Sequence, residues 1–487
     1  MALCKRLIAR LDVKGSRLIK GIRFEGLRVL GDPWEAALHY AEAGADELLY
    51  IDAVASLYGR NGLADLLRRT SREVFIPITA GGGVRSVGDA AALLAAGADK
   101  IVVNTAALER PELITELAEV FGSQCVVASI QARRTAPDAW EAMGEAGRER
   151  TGRDVAVWID QLQRLGAGEL LLTSVDQDGT CAGPDQPLLE MAAARTFVPL
   201  VVGGGFAATD QLRIAWQQPN ISAVSVGAAL HHQRLDLATV KRHLTASSPS
   251  ISLRSSATAE SLSLNGEEGP PLAGFRIGVI DYGMGNQQSL INALEFLGAD
   301  VLLSDQPDQM RGCDLLALPG VGAFPKGMAA LRSRSLDTWL RQEWVEAGQP
   351  LLGICLGMQM LFEAGEEFGE CVGLGVLRGR VVALQSHDVE GESLTLPHMG
   401  WNRLLPGPAI SASRSFAFSY QYFVHSYVAT EVDPAAVMFR CQYGQYSFVA
   451  AVRQGSVAGF QFHPERSGLE GLALLAAICR EMLFVSR

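Results

Sequence analysis

Short apolar runs alternate with stretches of helical periodicity throughout residues 1–245. This alternation is typical of strand–helix units, in which an amphipathic helix covers a buried parallel strand. Eight such units in a segment of this length predict a (β/α)8, or TIM, barrel. The predicted strands are Leu7–Asp12, Glu47–Asp52, Ile76–Ala80, Lys100–Val103, Cys125–Ile130, Glu169–Ser174, Leu200–Val202 and Ala223–Val226.

An internal repeat divides this predicted barrel into two halves. Residues 75–83 (FIPITAGGG) reappear as residues 197–205 (FVPLVVGGG), 122 positions further along the chain. At the same offset, residues 44–48 (GADEL) match residues 166–170 (GAGEL). Repetition at one shared offset predicts a duplicated half-barrel with four strand–helix units in each half.

Each half carries three consecutive glycines at the carboxyl end of a predicted strand, directly before a helix. Bare backbone N–H groups and the helix dipole make such a turn an anion-binding site. The carboxyl ends of all barrel strands meet at one mouth, where the chemistry of this fold takes place. Gly82 and Gly83 in one half, with Gly204 and Gly205 in the other, therefore predict a ligand with two phosphates.

Other polar positions follow strands at the same predicted mouth. Asp12 ends the first strand and Lys20 comes shortly after it. Asp and Thr often cap helices, but no helical pattern follows Asp12, so a chemical role is expected for it. The remaining predicted substrate- and phosphate-binding residues are Asn104, Thr105, Asp178, Gly179, Gly227 and Ala228.

A different motif dominates the second half of the chain. The run Gly353-Ile354-Cys355-Leu356-Gly357 is a thiol version of the nucleophile elbow, set between an apolar predicted strand and a predicted helix. The flanking glycines permit the sharp turn. His463 and Glu465 project to one side of an extended segment. We predict that His463 takes the Cys355 proton and that Glu465 orients the imidazole.

The chain composition sets limits on domains, partners and location. Residues 246–272 are rich in Ser, Thr, Gly and Pro, which predicts a flexible linker between domains at 1–245 and 273–487. The formal net charge of −11 argues against nucleic-acid binding. The eight cysteines form no C-x-x-C pair, so no metal site, disulfide frame or cofactor is expected.

Free thiols fit a reducing cytoplasm. We find no signal sequence at the N-terminus and no run of eighteen apolar residues, so no membrane span is expected.

Both halves resemble imidazole glycerol phosphate synthase, a glutamine amidotransferase of the triad type. Residues 1–245 resemble its cyclase subunit in the segments 11–14, 44–48, 81–83, 104–107, 121–125 and 178–180. Residues 274–487 resemble its glutaminase subunit in the segments 281–286, 319–324, 353–357, 397–402, 423–427 and 462–467. In the fused eukaryotic enzymes of this family the glutaminase comes first, whereas here the barrel does. The linker permits docking within one chain or between chains.

The resemblance implies a coupled reaction. Glutamine loses ammonia through a thioester on Cys355, with an oxyanion hole formed by the N–H of Leu356 and an amide of Gly320, Val321 or Gly322. The ammonia crosses the barrel core to the mouth. There a bis-phosphorylated ribulosyl aminoimidazole carboxamide is converted to imidazole glycerol phosphate and AICAR. The implied ammonia entrance at the barrel floor is formed by Arg6, Glu47, Lys100 and Glu169.

One position departs from the family's pattern in a way that affects the chemistry. The cyclase subunit uses two carboxylates as an acid–base pair, and Asp12 matches the first, but Gln131 stands where the second Asp is expected. Glutamine cannot exchange a proton near neutral pH. Arg10 also replaces a small residue, Gly203 a hydroxyl residue and Val54 a threonine.

Three interpretations stay open at the level of sequence. The chain is a synthase with reduced cyclase activity, or a relative that delivers ammonia to another acceptor such as a sugar, or an active glutaminase carried on a barrel scaffold. The two phosphate loops argue against a scaffold. Gln131 argues against a fully standard synthase.

Overall fold

The computed structural model describes residues 3–55, 62–248, 250–254, 269–284, 286–387, 391, 394–409 and 416–485. The chain forms two compact units, one built chiefly from Cys4–Ser256 and the other chiefly from Ala257–Leu394 and His398–Arg487. Most of the predicted linker, residues 255–268, lies outside the described residues.

Eight parallel strands close into a barrel in the first unit, because the last of them pairs back on the first. In chain order the strands of this unit are β1 (Arg6–Lys14), β2 (Arg17–Ile22), β3 (Glu25–Gly31), β4 (Glu47–Asp52), β5 (Ile78–Gly81), β6 (Lys100–Val103), β7 (Val126–Ala136), β8 (Ala139–Gly144), β9 (Glu149–Asp154), β10 (Glu169–Ser174), β11 (Leu200–Gly203) and β12 (Ile221–Val226). The closed barrel comprises β1, β4 to β7 and β10 to β12. The predicted TIM barrel is confirmed.

Helices connect these strands. They are Pro33–Glu42, Leu63–Thr70, Val87–Ala95, Thr105–Glu109, Glu112–Phe121, Val155–Arg164, Gln186–Arg195, Thr209–Trp216, Ala228–His231 and Leu237–Ser247. Several begin at an Asp whose side chain accepts a backbone N–H, as Asp32, Asp154 and Asp236 do. Asp12 instead lies within β1, so helix capping does not account for it.

Two hairpins, β2–β3 and β8–β9, extend from the repeat-related strands β1 and β7 and were missed by the sequence analysis. Strand β3 is exposed or half-buried at every position, so it shows none of the apolar alternation that reveals a half-buried strand. The hairpins extend the internal repeat beyond the barrel strands themselves.

The barrel interior is layered from floor to mouth. Seven buried apolar side chains form a middle layer: Ile8, Leu49, Val102, Val127, Leu171, Val201 and Ala223. Inward-facing residues alternate along each strand, so the positions two residues before and after this layer form a floor and a mouth. Both of these outer layers carry polar side chains, for example Arg6 and Arg10 on either side of Ile8.

The start of the predicted linker is ordered against the barrel. The last barrel helix runs to Ser247. Leu253 forms a parallel bridge with Lys5, and the Arg254 guanidinium lies 2.9 Å from the buried Asp46 carboxylate. The ordered barrel unit therefore extends past the predicted boundary at residue 245, because contacts with the barrel floor hold a segment that has no periodicity of its own.

The second unit is an α/β domain with a nine-stranded sheet and a smaller four-stranded sheet. Its strands are β13 (Arg276–Ile280), β14 (Asp300–Ser304), β15 (Leu315–Leu318), β16 (Leu351–Ile354), β17 (Ala364–Gly365), β18 (Cys371–Val372), β19 (Arg380–Ala383), β20 (His398–Pro406), β21 (Tyr420–His425), β22 (Tyr427–Thr430), β23 (Val437–Tyr443), β24 (Tyr446–Gln454) and β25 (Val457–Phe460). The strand order in the large sheet is β14-β13-β15-β16-β25-β24-β23-β20-β21. The first five strands in this order, β14, β13, β15, β16 and β25, are parallel, and β16 and β25 are direct neighbours.

The helices of this unit are Gln287–Phe296, Pro307–Met310, Phe324–Ser333, Leu336–Trp339, Leu356–Met360 and Gly468–Val485, with a π-helical turn at Leu340–Val345. Across the described parts of both units, no helix is both long enough and apolar enough to cross a membrane.

Candidate active sites

Cys355 occupies a strained turn at the carboxyl end of β16. Its backbone has φ of 52°, in the left-handed region that non-glycine residues seldom adopt. The two flanking glycines are required by packing: a Cβ on Gly357 would lie 1.8 Å from the carbonyl oxygen of Leu318, and one on Gly353 would lie 2.7 Å from the backbone nitrogen of Met358. The elbow thus exists because both flanks lack side chains.

His463 and Glu465 follow the neighbouring strand β25 and lie beside the elbow. The imidazole Nδ1 is 2.7 Å from Glu465 Oε1, and both side chains are buried. Burial lowers the pKa of His463, but the Glu465 carboxylate and the Cys355 sulfur outweigh burial and raise that pKa well above its ordinary value. The structure therefore brings the three predicted residues together in the order that thiol activation requires.

A fourth residue at this site, Gln461, was missed by the sequence analysis. Its side-chain amide Nε2 lies 3.7 Å from Cys355 Sγ, and its carbonyl oxygen accepts a hydrogen bond of 3.1 Å from Gln359. Gln461 lies two positions before His463, and alternate residues of an extended segment share a side. The spacing of two residues from His463 could therefore have indicated that Gln461 faces the same site. The amide is placed to donate to the sulfur.

The predicted oxyanion hole is occupied by the protein itself. The N–H of Leu356 donates to the carbonyl oxygen of Gly320 at 3.3 Å. The same segment contains Val321 and Gly322, with φ of 125° at Gly322. Because the predicted donor is already engaged, the Gly320 carbonyl must turn away before this N–H can stabilise a substrate oxyanion.

At the barrel mouth, Asp12 lies between two buried cations. Its carboxylate accepts from Arg10 Nε at 2.8 Å and from Lys20 Nζ at 2.6 Å, and Lys20 also contacts Asp178 at 2.9 Å. Burial raises the pKa of Asp12, but Arg10 and Lys20 outweigh burial and hold it far below the ordinary range. Asp12 is therefore held as a carboxylate. The Arg10 Nη1 group also reaches Thr173 Oγ1 at 3.1 Å.

Apart from Lys20, which lies between Asp12 and Asp178, the predicted substrate- and phosphate-binding residues line two cavities of the barrel. A cavity of about 170 Å³ is lined by Gly82, Gly83, Asn104 and Thr105. A smaller cavity is lined by Asp178, Gly179, Gly204, Gly205, Gly227 and Ala228, together with Arg10. Strands β5 and β11, which precede the two glycine loops, are four places apart in the eight-strand ring. The two loops thus lie on opposite sides of one mouth.

Close packing explains why glycine occupies these loops. A Cβ on Gly82 would lie 2.4 Å from the carbonyl oxygen of Asp52, and one on Gly204 would lie 2.7 Å from that of Ser174. Asp52 and Ser174 are related by the same repeat offset as the glycines. Both halves of the barrel therefore use the same close backbone approach to shape the loop.

Strand register places Gln131 at the position equivalent to Asp12. Ile8 pairs with Glu47, and Val127 pairs with the repeat-related Glu169. Asp12 and Gln131 lie four residues beyond these pairs in β1 and β7. Gln131 is buried, and its Oε1 makes no hydrogen bond within the described residues. The equivalent positions in the two halves therefore hold the Asp12 carboxylate, paired with two cations, and the Gln131 amide, whose oxygen has no partner within the described residues.

The four residues of the predicted ammonia entrance form a closed ring at the barrel floor. Arg6 pairs with Glu47 at 2.8 Å and with Glu169, and Lys100 pairs with the same two carboxylates at 2.7 and 2.6 Å. All four side chains are buried, with at most 1% exposure. The burial distinguishes this ring from an ordinary surface ion-pair cluster, which contributes little.

The fold and the two sites define a glutamine amidotransferase domain that follows a TIM barrel with two glycine loops at its mouth, and comparisons with known proteins agree. Residues 6–236 match the family described as "Histidine biosynthesis protein", and residues 278–481 match "Glutamine amidotransferase class-I".

Curated relatives match the barrel half of the chain. The "Imidazole glycerol phosphate synthase subunit HisF" of Legionella pneumophila is 53% identical over 206 residues, which is 42% of this chain and 97% of the relative. The HisF subunit of Mycobacteroides abscessus is 45% identical over 252 residues, 50% of this chain and 98% of the relative. That of Bacillus cereus (strain G9842) is 43% identical over 242 residues, 50% of this chain and 96% of the relative.

The chain belongs to the histidine biosynthesis protein family through its barrel, and it carries a class I glutamine amidotransferase domain after it. It is therefore an enzyme that resembles a fusion of the two subunits of a glutamine-dependent imidazole glycerol phosphate synthase. The resemblance inferred from the sequence motifs is confirmed.

The first prediction concerns the nucleophile. Cys355→Ala removes the only thiol placed beside His463 in the described structure, so glutamine hydrolysis should fall by at least about 10,000-fold. Glutamate release is measured with and without a barrel ligand, using Cys371→Ala as a control that alters a cysteine of the small sheet. Undiminished release from Cys355→Ala would exclude the proposed nucleophile.

The second prediction concerns the pH dependence of glutamine hydrolysis. Glu465 raises the pKa of His463, so the imidazolium persists to higher pH with the carboxylate than without it. Glu465→Gln should move the alkaline limb of kcat/KM to lower pH and reduce its maximum by about 100-fold or more. Glu481→Gln, which alters a carboxylate paired with Arg453, serves as control. An unmoved limb would contradict the assigned role.

The third prediction concerns the floor ring. Lys100→Met leaves Glu47 and Glu169 buried with Arg6 as their remaining cation in the ring, and should destabilise the barrel by about 3–5 kcal/mol. Arg110→Met breaks an exposed pair with Glu116 and should cost less than about 1 kcal/mol. Hydrogen exchange of barrel peptides in urea measures both. Equal costs would show that burial of the ring has no energetic consequence.

Proposed function

We propose that the chain is a glutamine-dependent synthase of the imidazole glycerol phosphate type. The Cys355 thiolate attacks the carboxamide carbon of glutamine, and His463 gives its proton to the nitrogen, which leaves as ammonia. Water then hydrolyses the thioester and releases glutamate, with His463 now accepting a proton. Support comes from the buried contact of His463 with Glu465 and from the sulfur beside them.

The ammonia is proposed to enter the barrel at its floor and to be used at its mouth. The ring of Arg6, Glu47, Lys100 and Glu169 is the proposed entrance. The apolar layer directly above it offers no group that would protonate ammonia and little that would hold water. This arrangement supports transfer through the core, in which ammonia avoids exchange with solvent.

The acceptor is proposed to be a bis-phosphorylated ribulosyl aminoimidazole carboxamide, converted to imidazole glycerol phosphate and AICAR. The observation that carries this proposal is the pair of glycine loops on opposite sides of one mouth, because each loop offers backbone N–H groups to one phosphate. Lys20, buried between Asp12 and Asp178, adds a cation near the centre.

A second candidate function is the delivery of ammonia to a different phosphorylated or sugar acceptor. It is favoured by two observations: Gln131 stands where a second carboxylate is expected, and Arg10 clamps Asp12. A barrel that acts only as a scaffold is disfavoured. Asn104 and Gln131 line the larger cavity, and their Oδ1 and Oε1 atoms have no hydrogen-bond partner within the described residues. Buried polar atoms without partners are costly unless a ligand or water satisfies them.

The fourth prediction tests the identity of the acceptor and the assignment of ammonia release and ammonia use to the two domains. The bis-phosphate substrate should bind at least about tenfold more tightly than a mono-phosphate analogue, because the analogue leaves one loop empty. Cys355→Ala should release AICAR when given ammonium salt but not when given glutamine. Equal affinity for both ligands would count against a two-phosphate site. Tight binding without product from ammonium would favour the second candidate.

A further inference from the structure

Three residues that line the larger cavity of the barrel mouth each carry a buried acceptor atom that makes no hydrogen bond within the described residues. The atoms are Asn104 Oδ1, Gln131 Oε1 and Glu145 Oε2. The orientation of Asn104 is fixed because its Nδ2 donates to the carbonyl oxygen of Met143 at 3.1 Å. Unsatisfied buried acceptors indicate a ligand with donors, which here are hydroxyl or amine groups, because a phosphate dianion has none. Glu145 is the member of this group that can exchange a proton.

The backbone at Glu145 is held in an unfavourable conformation. Glu145 and Ala146 have φ of 45° and 54°, two consecutive non-glycine residues in the left-handed region, in the turn between β8 and β9. Such residues cost roughly 1–3 kcal/mol each and persist where the surroundings impose them, often at functional sites. Here the Glu145 N–H donates to Thr105 Oγ1 at 3.1 Å, which fixes the turn against the cavity wall.

Glu145 is the carboxylate lining the larger cavity with an oxygen that makes no hydrogen bond within the described residues, whereas the other buried acidic groups of the mouth are engaged. Arg10 and Lys20 hold Asp12 as a carboxylate. The repeat-equivalent Gln131 cannot ionise. Asp52 is a buried carboxylate that also lines the cavity, and burial raises its pKa, but it accepts the Val54 N–H at 3.1 Å, which ties it to its own loop. The remaining charged groups that line the cavity are Arg85 and Glu109, both exposed.

We propose that Glu145 is the second acid–base carboxylate of the barrel mouth and takes the role that Gln131 cannot perform. This inference rests on the proposed synthase function. Gln131 and Glu145 line the same cavity, and Gln131 pairs in register with Met143, two residues before Glu145. The hairpin β8–β9 thus returns a carboxylate to the part of the mouth where the strand itself has lost one.

The proton transfers assigned to Glu145 balance for amination of a ribulosyl ketone. Ammonia adds to the carbonyl carbon, and proton transfer from nitrogen to oxygen gives a carbinolamine. Protonated Glu145 then donates to its hydroxyl group, which leaves as water as the C–O bond breaks and the nitrogen lone pair forms a C=N bond. The Glu145 carboxylate takes a proton back from the resulting iminium, which becomes the imine. Gln131 is placed to hydrogen-bond the same ligand without exchanging protons.

The test uses the full-length chain supplied with ammonium salt and the ribulosyl bis-phosphate, so that the glutaminase step does not contribute. Glu145→Gln should lower kcat by about 100-fold or more with KM changed less than about threefold, and should abolish one limb of the pH–rate profile. Glu149→Gln, which alters an exposed carboxylate at the start of β9 in the same hairpin, is the matched control and should retain wild-type kcat.

A rescue variant separates chemistry from folding. In the double variant Glu145→Gln with Gln131→Asp, a carboxylate returns to the same cavity, and kcat should recover at least about tenfold from the single variant. Loss of activity in Glu145→Gln with an unchanged pH profile and no rescue would overturn the proposal in favour of a structural role.

Two further outcomes separate failure of this proposal from failure of the proposed synthase function. Retention of more than about a third of wild-type kcat by Glu145→Gln would overturn this proposal alone and leave the synthase function standing. Absence of turnover by the wild-type chain with ammonium and the ribulosyl bis-phosphate would overturn the synthase function, and the role of Glu145 with it.

Discussion

Closure of the eight-stranded barrel is the constraint on which the barrel site depends. The eight barrel strands are parallel and β12 pairs back on β1, so the inward-facing side chains stack in layers. A charged floor, an apolar middle and a polar mouth follow from that geometry. Contacts such as Arg10 to Thr173 and Lys20 to Asp178 join residues of elements far apart in sequence, and they require a closed ring.

The amidotransferase domain applies the same principle at an open sheet. Strands β16 and β25 are parallel neighbours, so their carboxyl ends meet at one edge and bring Cys355 next to His463. The strained conformation at Cys355 is tolerated because Gly353 and Gly357 let neighbouring backbone approach closely. Rigid strands thus position the nucleophile, while the engaged Leu356 N–H leaves the oxyanion site closed by Gly320.

The two halves of the barrel share a backbone plan but differ in charge. Glycine loops, floor carboxylates and hairpins repeat in both halves. At the mouth, one half holds Asp12 between two cations, and the other holds Gln131, whose Oε1 makes no hydrogen bond within the part of the chain that the structure describes. In a low-dielectric interior these differences decide which side chain can carry a proton. Duplication therefore accounts for the backbone of the site. The chemistry depends on the positions at which the two halves carry different side chains.

Local patterns in the sequence determined the fold class, most barrel strands and the candidate residues. Buried parallel strands can be predicted because they are apolar runs in the sequence. The elbow can be predicted because its turn requires glycines on both sides of Cys355. The exposed hairpins β2–β3 and β8–β9 have no such pattern and were missed. Asp12 was recognised by its position at the end of a predicted strand and Gln131 through the family resemblance, in both cases without any indication of what surrounds the residue.

Only the tertiary structure decided how these residues act. The contact of Lys20 with Asp178 and that of the Gln461 amide with the Cys355 sulfur join residues far apart along the chain. Within the described residues, Glu145 Oε2 has no hydrogen-bond partner, which also depends on how the chain packs around it. Burial and neighbouring charge set the protonation of each group, and neither quantity is written in a local sequence pattern. Local sequence thus determines the helices and strands, whereas the packing of the folded chain determines the protonation state of each buried group.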